Sequence, residues 1–183
     1  MEQFKEYTKV QLTIDLVKAN IFALVLFIPI AILYVLPFVW IWGKDPMLAN
    51  WDTYTALAFP VMIGGIILHE LIHGLTWYPF TKNGFRSIKF GVLWKMLTPY
   101  CHCKEPLKVN QYMLGAIMPA ILLGFLPAIV AIAIGSFGLL LFAILFTVAA
   151  AGDFMIIDLV RKEAAENYVL DHPSEAGCYV YRV

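Results

Sequence analysis

Four stretches of the chain, at 21–42, 54–80, 111–134 and 137–160, are almost unbroken in apolar side chains. Each is long enough to cross the roughly 30 Å hydrocarbon core of a bilayer as an α-helix. The first ends in Trp40, Trp42 and Lys44 and the second in Trp77 and Tyr78, aromatic and basic residues suited to a membrane–water interface. Only Gly135 and Ser136 separate the third stretch from the fourth, a link short enough to force an antiparallel helical hairpin. Between the second and third the pattern changes. Ser87-Ile88-Lys89-Phe90 alternates, and Gly84 and Gly91 punctuate the segment 81–110, which predicts one or two short strands at the membrane surface. Past residue 160 the pattern predicts that the last helix continues from Arg161 to Tyr168, turns at His172-Pro173 and Gly177, and ends in a strand-like 178–183. The expected fold class is thus an all-α polytopic membrane protein. It has four transmembrane helices, a short β-containing cytoplasmic loop between helices two and three and a tail at 161–183, all in one domain over 1–183.

Composition agrees with this pattern. Hydrophobic residues make up 61% of the chain and charged ones 14%, whereas a soluble domain carries about 25% charged residues. Lysine and arginine alternate along the predicted spans: three before helix one, one in the first loop, six between helices two and three, none in the Gly135 turn and three after helix four. By the positive-inside rule both termini and the 81–110 loop are expected on the cytoplasmic side. The formal net charge is zero and the basic residues lie in loops, so no nucleic-acid partner is indicated. Residues 1–20 carry Glu2, Glu6 and Asp15 and end in no small-residue cleavage site, so they do not read as a signal peptide. Cys101, Cys103 and Cys178 have neither a disulfide count nor a four-ligand metal spacing.

Inside the second apolar stretch stands His69-Glu70-Leu71-Ile72-His73. On a helix, the i, i+4 spacing puts both imidazoles on one face, one turn apart, where both can bind one metal ion. Neutral imidazoles suit Zn²⁺, and Glu70 beside the first of them can accept a proton from an activated water. One ionisable group in a membrane span costs about 2.5 to 3.5 kcal/mol, and here three fall within five residues, so a chance match is a poor explanation. A catalytic zinc needs a third protein ligand. At about 1.5 Å per residue, His69 to His73 lies about 22 to 28 Å along helix two, and Asp153 about 24 Å along helix four, which runs in the same direction. Equal depth makes Asp153 the expected third ligand. Asp158 lies more than a turn deeper beside Arg161 and Lys162 and is expected to be an interfacial anchor.

Tyr100-Cys101-His102-Cys103-Lys104 on a strand would send His102 to one face and both thiols to the other, so these three do not share one metal. His102 is a candidate site-lining residue, provided that its loop folds back over helix two. His172 is expected to be a solvated surface residue. Pro60, Pro119 and Pro127 lie within predicted spans and Gly64-Gly65 one turn before the histidines. Both features fit either kinked, closely packed helices or a water path to a buried site.

These residues resemble the site-2 protease group of intramembrane zinc metalloproteases, and the chain is more closely similar to a small bacterial family of zincin peptidases. The resemblance implies Zn²⁺ held by His69, His73 and Asp153, and cleavage of membrane-anchored protein substrates near the cytoplasmic face of a bacterial cytoplasmic membrane, with the lipid bilayer as surroundings. It also implies a sheet segment, Ser87, Ile88, Lys89 and Phe90 onward, that pairs with extended substrate. Site-2 proteases carry their aspartate in an Asp-Gly pair; here it stands in Gly152-Asp153-Phe154. The function expected is an intramembrane zinc metalloprotease with Glu70 as general base. The alternatives are a catalytically silent membrane metal-binding or scaffolding protein, which has no need of Glu70, and a metal transporter, which would carry charges at many depths.

Overall fold

The computed structural model describes residues 6–49, 51–94 and 98–183; Glu2, part of the N-terminal charge reading, lies outside them. All four apolar stretches are helical. Helix α1 (Leu16–Trp42) starts five residues before the apolar run, because the Asp15 side chain caps it, accepting from the Val17 and Lys18 N–H groups at 2.7 and 3.3 Å. A short helix α2 (Asp45–Leu48) leads to α3 (Trp51–Trp77), which ends in a 3₁₀ turn at Tyr78–Phe80. Helices α4 (Val109–Pro119) and α5 (Leu126–Ile134) are joined by a π-helical segment, Ala120–Phe125. The wider turn falls just ahead of Pro127, which cannot donate to the carbonyl four residues back. Gly135, at φ +72°, closes α5 in the left-handed conformation. Ser136 then caps α6 (Phe137–Ala149).

Helix α7 (Ala151–Val160) is bent by 42° from α6. The break lies in the small-residue run Ala149-Ala150-Ala151-Gly152. Among the described residues, three helices, Leu16–Trp42, Trp51–Phe80 and Val109–Ile134, are long and apolar enough to cross a membrane, and a fourth is if the bent pair counts as one span. On α1, Leu24, Ile28 and Leu36 are each more than half exposed, as helices facing lipid would be.

The expectation of an all-α chain with β structure only in the 81–110 loop needs correction, because among the described residues two antiparallel sheets accompany the helices. In the 81–110 segment, where one or two short strands are expected, β2 (Ile88–Leu93) and β3 (Thr98–Cys103) pair as an antiparallel hairpin. A four-stranded sheet in the order β1-β6-β5-β4 joins both ends of the chain: β1 (Thr8–Thr13), β4 (Leu107–Lys108), β5 (Tyr168–Asp171) and β6 (Gly177–Arg182). The expected continuation of helix four through Tyr168 does not occur: α7 stops at Val160. The seven residues after it, Arg161 to Asn167, carry no apolar stripe to bury, whereas the next residues do; Val169 is fully buried beside Val180 and Cys178.

Three apolar clusters organise the interior. Tyr34 and Phe38 of α1 pack with Ala128, Ala131, Phe137 and Leu140 of the α5–α6 hairpin. A smaller cluster of Ile72, Leu123 and Phe146 ties α3 to the π segment and α6. The third lies under the sheets, where Trp77, Tyr112 and Val160 meet Ile88, Cys103, Val169 and Val180. The histidine-bearing turn of α3 lies next to this third cluster, between the helices and the sheets.

Candidate metal centre

Ile72 faces the interior cluster, which turns His69 and His73 on the same side of α3 toward α7, where they are 8% and 5% exposed. Asp153, three residues past the α6–α7 break, meets both. Its Oδ2 lies 3.1 Å from His69 Nε2 and its Oδ1 lies 3.3 Å from His73 Nε2. The two imidazoles stand edge to face with ring centres 5.0 Å apart. His73 Nδ1 donates to the Gly115 carbonyl at 2.9 Å, and the His73 ring stacks on Trp77, 5.2 Å away at 16°. That bond assigns the proton of a neutral His73 to Nδ1 and leaves the Nε2 lone pair facing a carboxylate oxygen. Lone pair against lone pair at 3.3 Å is repulsive unless a proton or a metal ion lies between them. One ligand atom from each of His69, His73 and Asp153 lies within 4.8 Å of the others. Among the described residues, His69 Nδ1 is buried without a hydrogen-bond partner. Two imidazoles and a carboxylate around one point are a donor set that suits Zn²⁺.

Glu70 is half-buried and lines the same cavity, of about 270 Å³, as the two histidines and Asp153. The backbone N–H of Cys101 on β3 faces its carboxylate. The wall also includes Tyr112 and Ala116 of α4, Thr98–His102, and the β5–β6 turn between Asp171 and Gly177.

The hairpin does fold back over α3, and His102 lines the cavity. Burial, reinforced by Lys89, Lys104 and His172, holds the His102 imidazole below its ordinary pKa against the opposing pull of Asp171. The wall is built by β3 rather than by the β2 residues expected to meet substrate. Ser87 is buried and donates its hydroxyl to Glu105 at 2.5 Å, and Ile88 is buried in the cluster under the sheets. Lys89 pairs with His102 across the hairpin, and Phe90 packs beside Phe85. Asp158 is paired with Arg161 and Lys162 on the surface. His172 departs from the solvated expectation: it is buried, and its Nδ1 accepts from the Ser174 and Glu175 N–H groups at 3.3 and 2.9 Å, holding the β5–β6 turn. Burial pushes the Cys103 thiol up to about 12 and raises the Cys101 and Cys178 thiols as well, so all three are inert neutral groups.

Sequence reasoning passed over Asp171 and Glu105. Glu105 gathers Lys82 N–H, Asn83 N–H, the Asn83 amide and the Ser87 hydroxyl, fixing the loop that leads into β2. Asp171 is buried and binds Tyr112 and Cys103. No local pattern marks either one, since their partners are 18 to 23 and 59 to 68 residues away.

The fold and the cluster define a helix-rich, apolar chain with a paired-histidine and aspartate centre of the kind metallopeptidases use. The sequence profile of the family described as "Putative zincin peptidase" matches residues 62–168, and the chain belongs to that family. Membership points to a metallopeptidase, and by implication to zinc. No curated protein and no solved structure matches the chain.

Proposed function

We propose that this chain is an intramembrane zinc metalloprotease, similar to the site-2 proteases, that cuts membrane-anchored proteins near the cytoplasmic face of a bacterial cytoplasmic membrane. The observation that carries the reading is the convergence of His69, His73 and Asp153 from two separate apolar helices, with Glu70 opening into the same cavity. Placing four ionisable groups, two buried and two partly buried, among such helices is costly, and a metal-dependent reaction accounts for all four.

In this reading His69 and His73 bind through Nε2 and Asp153 through its carboxylate. When bound, Zn²⁺ supplies Lewis acidity, polarising a peptide carbonyl and making water a better acid. Glu70 takes the proton of the attacking water and passes it to the departing amine. The Gly115 carbonyl and the Trp77 ring hold the His73 imidazole in the orientation that ligation needs. The substrate lies along β3. Cys103 N–H bonds to Asp171 and Cys101 N–H faces Glu70, so alternate main-chain groups of β3 point away from β2, and Cys101 among them lines the cavity. An extended peptide adding to that edge is held by its main chain, with its side chains free to vary. Glu70 yields Cys101 N–H as the peptide arrives.

The test is the metal content of purified wild type, Glu70→Gln, His69→Ala and Asp153→Ala, beside cleavage of a co-expressed panel of single-span membrane proteins. About one zinc is expected in wild type and Glu70→Gln, far less in the other two, and cleavage only in wild type. Well-folded wild type that takes up no zinc would overturn the reading. Zinc binding with cleavage unaffected by Glu70→Gln would leave a metal-binding protein without this chemistry.

A further inference from the structure

We propose that Asp171, contributed by the C-terminal strand β5, is a positioning residue of this active site, fixing the β3 edge against the metal-binding helix. The proposal rests on the peptidase reading and adds to it a residue outside the segment 62–168 that the family profile matches.

Asp171 is 9% exposed, and each of its carboxylate oxygens accepts one short hydrogen bond. Oδ1 takes the Tyr112 hydroxyl at 2.6 Å and Oδ2 takes the Cys103 N–H at 2.6 Å. Both donors belong to the elements that build the site, α4 and β3. The Tyr112 ring stacks on Trp77 at 5.3 Å and 17°, and the Trp77 indole N–H donates to the Tyr112 carbonyl at 3.1 Å. Trp77 in turn stacks on His73, and Gly115, three residues past Tyr112, accepts from His73 Nδ1. On the other oxygen, Cys103 lies two residues along the same strand edge from Cys101, whose N–H faces Glu70. One carboxylate therefore ties the peptide-binding edge to the support of a zinc ligand.

Burying a carboxylate is expensive unless its bonds are good, and an apolar side chain would fill the same space more cheaply. What the carboxylate adds is direction: it sets where the edge stands relative to His73. Strand pairing slips by even numbers of residues, since an odd slip turns every side chain to the opposite face. A loosened edge thus presents peptide bonds two residues apart to the same catalytic group. Asp171 governs which bond is cut as well as how fast.

The experiment uses the full chain in lipid, with three variants: Asp171→Ala, Tyr112→Phe, and Asp171→Glu, which keeps the charge and both acceptors but moves them by one methylene. Zinc content, amide exchange over 98–103, KM and kcat, and product masses are measured together on a substrate that wild type cuts. In Asp171→Ala we expect zinc to be retained, Cys103 amide exchange at least tenfold faster, KM raised at least fivefold and a second cut two residues from the first. Asp171→Glu should show the same second cut more weakly, and Tyr112→Phe should raise KM less than Asp171→Ala does. A zinc-loaded Asp171→Ala with wild-type exchange and one cut at the wild-type rate would overturn the proposal. If Asp171→Ala does not fold, the same result from Asp171→Glu overturns it. Wild type that cleaves nothing counts against the peptidase reading, and the exchange rates then decide whether Asp171 holds the edge.

Discussion

At the residue scale, the centre was legible where its members are neighbours in sequence and hidden where they are not. His69, Glu70 and His73 announce themselves because three ionisable groups within one turn of an apolar helix need a common partner. Asp153 required a depth argument, and the structure brings its carboxylate within 3.1 and 3.3 Å of the two histidines. Glu105 and Asp171 gave no such signal, since an acidic residue in a polar loop or a tail is ordinary until its donors are seen. Glu105 is the clearer case for a pH test. The Ser87 hydroxyl, then the Lys82 and Asn83 donors, hold its carboxyl down to about 2, against 4.5 ordinarily. A depressed carboxyl contributes stability that is complete above its unfolded pKa and is lost as pH falls through its folded one. The anchoring of residues 82–87 is therefore expected to hold at pH 5 and to weaken between about pH 4.5 and 2, and Glu105→Gln should abolish that dependence. An NMR titration of the Glu105 carboxyl with a midpoint at the ordinary 4.5 would contradict it.

At the scale of elements, the apolar runs located the helices but not their joints. A run of apolar residues is equally content in a straight helix, a bent one or one with a π turn, so the 42° break before Asp153 and the π segment at Ala120–Phe125 did not show. The break matters because it falls three residues before the carboxylate that meets both histidines. Gly64 and Gly65 illustrate the same gap. A Cβ on Gly65 would come within 2.1 Å of the Phe146 ring, while one on Gly64 meets nothing within 4 Å. Gly65→Val is accordingly expected to force α3 and α6 apart at a cost of about 1–3 kcal/mol, as overpacked cores do. Gly64→Ala should be neutral or slightly stabilising through helix propensity. Thermal unfolding of the two variants in the same detergent checks the contrast; equal losses would mean that the two helices do not pack through Gly65.

For the whole molecule, the proposed topology puts both termini, the β hairpin and the four-stranded sheet on the cytoplasmic side and the Gly135 turn on the other. In cells carrying a cysteine-free version, an impermeant thiol reagent should label Ser136→Cys from outside and reach Glu166→Cys only after the membrane is opened; the reverse pattern would invert the proposal. Sequence alone determined that there are four apolar helical stretches, a strand-forming segment between the second and third, and a paired-histidine motif inside the second. Those features are local, written in periods of two to four residues and in the solvation cost of single side chains. Tertiary structure alone decided that β1 and β6 join the two ends of the chain into one sheet, that β3 and the β5–β6 turn wall the cavity, and that Asp171 binds both halves of the site. Such pairings are set by which surfaces remain to be buried once the helices have packed, and that balance belongs to the folded chain as a whole.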